Sequence, residues 1–279
     1  MLDQLIKVVR PTALGADRFT GQNMHPGAFR VYGGQVLAQC VSAAVETVED
    51  GRDIHSQHAY FLRAGNPSKP VEFQVERARD GFSFSSRRVV ALQDGKPILV
   101  SSMSFQAPSR GDDYQPDMPA VPPPESLPNE RELSLEAGNL DESFMITTGE
   151  DLDIRVVEPV DWEKPVPREP ILQAWMKTTG PVGNERGLHE ALLSYMSDAF
   201  LIDVCLIAHG RHFAGKDFQV ASLDHALWFH EGFRADEWLL HIVEAERIGA
   251  GRGLARGSFY TRQGRLVATT MQQGVMRFR

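Results

Sequence analysis

The chain repeats one order of elements twice, and this repeat constrains the fold more than any other feature of its 279 residues. A helical pattern, an alternating strand and two strands joined by a tight turn occur between residues 33 and 106 and again between residues 188 and 274. Val243 follows Val75 by 168 positions in the alternating strands, and Gly264 follows Gly95 by 169 positions in the turns. Because chance explains such a constant separation poorly, we interpret the chain as an internal duplication.

Each copy begins with a helix. In the first copy Leu37, Val41, Ala44 and Val48 recur at spacings of four, three and four, which predicts a helix with one buried stripe. In the second copy the segment LHEALLSYMSDAFLIDVCL, residues 188–206, predicts the matching helix as one continuous element.

Strand patterns follow each helix. Apolar and polar residues alternate in VEFQVERARDG, residues 71–81, which predicts a half-buried strand. The dipeptide Asp94-Gly95 between two further strands predicts a tight hairpin. Since a lone amphipathic helix beside an antiparallel sheet buries its stripe across the sheet face, the sequence predicts an α+β double hotdog, with two tandem helix-wrapped antiparallel sheets in one chain.

The composition changes between the copies. The segment 107–150 is rich in proline and acidic residues, which predicts a linker on the surface. We therefore predict an N-terminal hotdog at 1–106 and a C-terminal hotdog at 151–279.

Charge and composition exclude several functional classes. The net charge of −8 argues against a nucleic-acid-binding protein. No stretch approaches the ~20 apolar residues that span a bilayer, and the first residues do not resemble a signal peptide. Two cysteines make neither a disulfide framework nor a zinc pattern. We therefore expect a cytoplasmic protein without a membrane span.

Asp198 is a carboxylate within the apolar segment LLSYMSDAFLIDV, where burial of a charge is costly. The duplication supplies an internal comparison for it. When Cys205 is aligned with Cys40, Gly33 lies opposite Asp198, so the first copy lacks this acid.

Two further polar groups are specific to the second copy. The repeat places His55 opposite Ser222, and Phe105 or Met103 opposite Gln272. A carboxylate can act on water as a general base, while a hydroxyl and an amide can hold that water. Backbone amides at a helix N-terminus can stabilise an oxyanion. The trio of Asp198, Ser222 and Gln272 therefore predicts hydrolysis of an activated carbonyl, with no metal and no cofactor.

Six long segments of the chain resemble the acyl-CoA thioesterase II family, in the same order and over nearly the full length. They are RVYGGQVLAQ (30–39), HSQHAYFLRAG (55–65), RDGFSFSSRRV (79–89), SYMSDAF (194–200), ASLDHALWFH (221–230) and GSFYTRQGRLVATTMQQGVMR (257–277). The resemblance implies hydrolysis of medium- to long-chain fatty acyl-CoA to fatty acid and CoA, and a homodimer or homotetramer.

The resemblance also assigns roles to residues. In that family an Asp, a Thr and a Gln orient the hydrolytic water, and these map to Asp198, Ser222 and Gln272. Serine at the threonine position keeps the hydroxyl but loses the methyl group that restricts χ1.

Other residues are weaker candidates for contact with the substrate. Those at the start of the first helix are expected near the acyl or pantetheine channel, and arginines on strands near the CoA phosphates. Close packing and surface ion pairs are the simpler explanations. The predicted substrate-binding set is Tyr32, Gly33, Gly34, His58, Arg88 and Arg256.

Two alternatives remain open at the level of sequence. A hotdog hydratase or dehydratase would need a histidine as its acid–base group, and His225 and His58 are the candidates. Because His225 follows His58 by 167 positions, a shared structural role is the simpler interpretation. A non-catalytic acyl-CoA-binding protein is suggested by the serine at position 222.

Overall fold

The computed structural model describes residues 2–26, 28–136, 149–161, 164–211 and 218–278. The chain forms two compact units, each of which combines segments from distant parts of the sequence. Unit 1 comprises residues 1–114, 182–198 and 224–230, and unit 2 comprises residues 115–181, 199–223 and 231–279. Each unit contains antiparallel strands and helices, which confirms the α+β class.

Unit 1 is an antiparallel sheet with helices packed against it. The helices are α1 (Leu2–Val9), α2 (Gly33–Val45) and α4 (Leu188–Ser197). The strands pair in the order β1 (Thr12–Gly15), β2 (Arg18–Gly21), β4 (Val71–Asp80), β5 (Phe84–Gln93), β6 (Lys96–Gln106), β3 (Asp53–Phe61) and β10 (Asp224–Phe229).

Helix α2 is buried on nearly every side. Between Gly34 and Val45, Ser42 alone among these described residues is partly exposed. Helices α1 and α4 pack on α2 in addition to the sheet, so its far side is covered as well. The prediction of a single buried stripe is therefore wrong, because the sequence pattern of α2 does not reveal which other helices cover it.

The strand predictions for unit 1 are confirmed. Val71, Phe73 and Val75 are buried on β4 and alternate with exposed residues. Asp94 and Gly95 both have left-handed backbone angles, with φ of 49° and 71°, between the paired ends of β5 and β6. Positive φ at both central residues is the geometry of a two-residue hairpin with a type I′ turn.

The predicted helix at 188–206 is interrupted. Helix α4 ends at Ser197, Asp198 forms its C-cap, and Phe200 has a left-handed φ of 67°. A left-handed residue cannot continue a right-handed helix, and the chain forms a second short helix, α5, at Asp203–Ile207. The prediction of one continuous helix is therefore wrong, and Asp198 lies at a helix end.

Unit 2 is also an antiparallel sheet. Its strands pair in the order β9 (Phe218–Ser222), β13 (Leu266–Phe278), β12 (Arg252–Thr261), β11 (Leu239–Gly249), β8 (Ile171–Thr178) and β7 (Leu152–Val156). Helix α5 packs on β11 and β12, helix α3 (Glu130–Glu136) packs on β7, and a 3₁₀ turn forms at Pro124–Ser126.

The proline-rich segment after residue 114 packs on the sheet of unit 2. Trp175 donates its indole N–H to the Pro122 carbonyl at 2.9 Å, and Arg262 forms a two-point ion pair with Glu125 at 2.6 and 2.9 Å. Apolar side chains of the segment cover a buried cluster on one face of this sheet. The cluster is Trp175, Leu240, Ile242 and Tyr260, and the segment contributes Met118, Val121 and Leu127. Residues 137–148 of the predicted linker lie outside the described residues.

Arg87 joins the end of α2 to the sheet in unit 1. Its guanidinium is 1% exposed and donates to the Thr47 hydroxyl and carbonyl, both at 2.9 Å. It also donates to the Asp80 carboxylate at 2.7 Å, which lowers the pKa of that carboxyl group. A buried charge that is bonded in this way becomes costly when one partner is removed.

We expect Arg87→Met to lower the free energy of unfolding by about 3 kcal/mol, because it leaves buried oxygens without their donor. The adjacent Arg88→Met is the matched control, since Arg88 is exposed and pairs with Glu76 on the surface. It should change stability by less than about 0.5 kcal/mol. Urea unfolding measures both variants. Equal stability of the two would contradict this role for Arg87.

Candidate active site

The Asp198 carboxylate is half-buried at the end of α4 and binds the start of α2. Its Oδ2 accepts the backbone N–H of Gly34 at 2.9 Å. The N-cap residue of α2, Tyr32, provides no side-chain cap of its own. Asp198 therefore satisfies one of the amides that every helix leaves unbonded in its first turn.

Two glycines allow the end of α4 to approach α2 this closely. A Cβ atom at Gly33 would lie 2.7 Å from Asp198 Oδ2 and 2.9 Å from the Phe61 ring. A Cβ atom at Gly34 would overlap the Tyr195 carbonyl oxygen. Glycine is needed at both positions because backbone and carboxylate occupy the space of a side chain.

Tyr32 also connects the start of α2 to α4. Its hydroxyl donates to the Tyr195 carbonyl at 3.0 Å, and the two rings meet edge to face with centroids 5.1 Å apart. Tyr32, Gly33 and Gly34, which the sequence predicts near the substrate, thus all lie against α4 or the Asp198 that follows it.

The alignment of Cys205 with Cys40, which places Gly33 opposite Asp198, stays a prediction. Helix α5 carries Cys205 and packs on β11 and β12, and helix α2 carries Cys40 and packs on β4 and β5. Gly33 and Asp198 are also neighbours in space. Glycine carries no charge, so the first copy lacks the acid at this place.

Ser222 and Gln272 are joined within unit 2. The side-chain amide of Gln272 donates to the Ser222 hydroxyl oxygen at 3.1 Å. Gln272 is 2% exposed on β13, and Ser222 pairs with Gly274 across the β9–β13 ladder. Since the Ser222 oxygen accepts from Gln272, its own hydrogen points elsewhere and can be donated to another group.

The counterpart of Gln272 in the first copy can be read from strand pairing. Gln272 pairs with Ala255, and Met103 pairs with Arg87, which lies 168 positions before Ala255. Strands β5 and β12 begin the same 168 positions apart. Gln272 therefore corresponds to Met103, one of the two apolar residues that the repeat predicts there.

Comparison with known proteins identifies the family of the chain. Residues 20–106 match the model of the acyl-CoA thioesterase N-terminal domain, and residues 167–275 match that of acyl-CoA thioesterase. The chain is 34% identical to acyl-CoA thioesterase 2 of Haemophilus influenzae, over 100% of this chain and 98% of that protein. It is 36% identical to human acyl-coenzyme A thioesterase 8, over 95% of this chain and 86% of that protein. The chain belongs to the acyl-CoA thioesterase II family.

A solved structure confirms the fold. Acyl-CoA thioesterase II from Mycobacterium marinum superposes with a TM-score of 0.80 at 36% identity, covering 99% of this chain and 97% of that one. The predicted double hotdog is thereby confirmed. Membership of the family also shows that the protein is an enzyme that hydrolyses acyl-CoA thioesters.

The predicted phosphate contacts of the thioesterase lie on exposed strand positions. Arg88 is 3.5 Å from Glu76, and Arg256 is 2.6 Å from Glu244 and 3.0 Å from Glu246. Surface ion pairs are the simpler explanation for both arginines, and the structure shows such pairs. Contact of either arginine with CoA stays a prediction.

His58 and His225 lie on opposite faces of the sheet in unit 1. His225 pairs with Ala59, and His58 pairs with Ala226, so the two histidines alternate in direction. His58 is exposed and meets the Trp228 ring edge to face at 5.0 Å, whereas His225 is 1% exposed. Their predicted equivalence is wrong, because strands β4 and β11 begin 168 positions apart and an error of one residue reverses the face.

Ser197 is a polar neighbour of Asp198 that the sequence pattern does not indicate. Its hydroxyl oxygen lies 2.9 Å from His225 Nε2 and 3.0 Å from the Ser194 carbonyl. A buried serine in an apolar helix has no distinctive sequence signal, since its hydroxyl can bond to the preceding turn.

Two properties complete the description of the thioesterase. Within the described ranges, no cluster of three or more His, Cys, Asp or Glu side chains is arranged to hold a metal ion. None of the helices described above is both long and apolar enough to cross a membrane.

We expect Gly33→Ala to lower kcat of the thioesterase about 10- to 100-fold, because the new methyl group displaces the Asp198 carboxylate. A thiol-release assay with an acyl-CoA measures this loss. Gly111→Ala is the control, since a Cβ atom there meets nothing within 4 Å. A kcat for Gly33→Ala equal to that of Gly111→Ala would contradict the prediction.

Proposed function

We propose that the thioesterase hydrolyses medium- to long-chain fatty acyl-CoA with a water molecule activated by Asp198. The carboxylate takes a proton from water while the water oxygen attacks the thioester carbonyl carbon. The carbon–sulfur bond of the tetrahedral intermediate then breaks, and the departing sulfur receives the proton. The products are a fatty acid and CoA, so atoms and charge balance without a cofactor.

The position of Asp198 supports its role as the base. One carboxylate oxygen is fixed by the Gly34 amide, which orients the group without neutralising its charge. A base must be held within hydrogen-bond reach of the proton that it abstracts. A carboxylate fixed at a helix end loses little additional freedom when water binds.

The hydrogen bond between Ser222 and Gln272 supports a role in holding the water. The Gln272 amide fixes the Ser222 oxygen, and this oxygen retains a hydrogen to donate. Neutral donors of this kind can orient water without an opposing charge. The family uses an Asp, a Thr and a Gln together. By this resemblance we propose that Ser222 and Gln272 act with Asp198 on one water molecule.

The substrate class follows from the family and from the names of the relatives. Both relatives named above are acyl-CoA thioesterases, and the family's broad acyl-chain tolerance includes medium and long chains. We further propose a homodimer or homotetramer, as the family resemblance implies. The buried free thiols of Cys40 and Cys205 support a reducing compartment, for which we propose the cytoplasm.

The decisive experiment is Asp198→Asn, which keeps an oxygen to accept the Gly34 amide but removes the charge. We expect kcat for thiol release to fall at least about 1,000-fold, the scale of a lost general base, with little change in thermal stability. Asp203→Asn, which changes a carboxylate at the start of α5, is the control and should retain activity. Turnover by Asp198→Asn at the control rate would overturn the role of Asp198.

Ser222 is tested separately. We expect Ser222→Ala to lower kcat about 10- to 100-fold, because the hydroxyl donor is lost. Ser222→Thr should retain activity, since it restores the side chain usual in the family. An assay over short, medium and long acyl-CoA measures both variants and the chain-length range together. If alanine and threonine behaved alike, the hydroxyl would have no part in positioning the water.

A further inference from the structure

A buried hydrogen-bonded pair lies directly beside Asp198 in unit 1. The Ser197 hydroxyl oxygen is 2.9 Å from His225 Nε2, and the two residues are 0% and 1% exposed. Ser197 is the last residue of α4, and His225 lies near the start of β10. The pair therefore connects the end of the helix that carries Asp198 to a strand of the sheet.

The second contact of Ser197 decides the direction of this bond. Ser197 Oγ is also 3.0 Å from the Ser194 carbonyl, which can only accept. A hydroxyl has one hydrogen. Both contacts are hydrogen bonds only when Ser197 donates to Ser194 and His225 donates its Nε2–H to Ser197. The His225 imidazole, which β10 carries, therefore donates a hydrogen bond to Ser197 in the last turn of α4.

An equivalent contact in the same unit provides an internal comparison. Gln57 precedes His225 by 168 positions, the separation at which β4 precedes β11. Gln57 accepts the Ser194 hydroxyl at 2.7 Å and donates to the Leu37 carbonyl at 3.0 Å. It therefore fixes the middle of α4 in the way that His225 fixes its end. One contact lies beside Asp198, and the other lies a full helical turn away.

We infer that His225 is a positioning residue for Asp198 and acts through Ser197. The inference rests on the proposed function of Asp198 as the base. Helix α4 ends at Ser197, and the chain turns through the left-handed Phe200 directly afterwards. The Asp198 carboxylate is therefore attached to a helix end, and helix ends readily fray unless they are tied down. The His225–Ser197 bond and the Gly34–Asp198 bond hold this end from two directions.

This role makes a specific kinetic prediction. His225 acts through its contact with Ser197, so its loss should misplace the base without removing it. Displacement of a catalytic group by about 1 Å can lower the rate about 100-fold. We therefore expect kcat to fall while KM stays unchanged, because the groups that bind the acyl-CoA are not altered.

The test compares Ser197→Ala, His225→Ala and His225→Gln in the full-length enzyme by thiol release. Both alanine variants should lower kcat about 10- to 100-fold, and the double variant should be no slower than either one. His225→Gln should recover most of kcat, because its amide can donate an N–H near the place of Nε2. Ser197→Ala leaves the imidazole and the packing in place, so it remains informative if His225→Ala fails to fold.

Gln57→Leu is the matched control. It breaks the equivalent contact to α4 away from Asp198, so it should lower thermal stability and leave kcat near that of the parent enzyme. If Gln57→Leu and Ser197→Ala lowered kcat equally, or if Ser197→Ala left kcat unchanged, the positioning role of His225 would be overturned.

Asp198→Asn, assayed in parallel, separates this inference from the proposed function. An inactive Asp198→Asn with a fully active Ser197→Ala would overturn only the role of His225. An active Asp198→Asn would overturn the role of Asp198 itself. A ¹H–¹⁵N correlation spectrum adds a readout independent of activity. It should show a protonated Nε2 in His225 that loses its slow exchange in Ser197→Ala, and an unprotonated Nε2 would contradict the inference.

Discussion

The hydrogen bond from the Gly34 amide to the Asp198 carboxylate is the contact on which the rest of the candidate site depends. It gives one side chain a structural and a chemical task, because the oxygen that completes the first turn of α2 belongs to the proposed base. The contact needs glycine at positions 33 and 34, since a Cβ atom at either would meet Asp198 or the Tyr195 carbonyl. Helix α4 itself places the carboxylate, since Asp198, as the C-cap, still has right-handed helical backbone angles. The two glycines, which look unrelated to Asp198 in the sequence, are thus required by the same hydrogen bond.

The duplicated scaffold uses equivalent places differently in its two copies. In the first copy the paired positions on neighbouring strands hold Arg87 and Met103, and the arginine joins the sheet to the end of α2. In the second copy the same positions hold Ala255 and Gln272. A small residue replaces the buried cross-link, and an amide replaces the apolar side chain. Unit 2 has no arginine at this position, and the proline-rich segment after residue 114 covers the opposite face of its sheet.

Much of the fold could be predicted from the sequence because its signals are local. Alternation along residues 71–81 and the Asp94-Gly95 turn depend on neighbouring residues, and both are confirmed. The break in the second helix could not be predicted in the same way, because apolar residues continue on both sides of Asp198 and phenylalanine is not a usual left-handed residue. The error over His58 and His225 has a different cause. A strand reverses its side chains at every residue, so an offset of 167 instead of 168 places a buried histidine on the exposed face. Ser197 could not be predicted, because its importance depends on contact with a strand residue 28 positions later in the chain.

The serine at position 222 follows the same principle of restraint by neighbours. Threonine limits its own hydroxyl through a branched Cβ, which leaves few χ1 rotamers. Serine lacks that internal restraint, but the Gln272 amide binds its oxygen at 3.1 Å from a position that is itself 2% exposed. A hydrogen bond from a buried donor can also favour one rotamer. Because serine replaces the threonine that is usual in the family, the branched Cβ no longer restricts this side chain. The orientation of the Ser222 hydroxyl therefore depends on its hydrogen bond with Gln272.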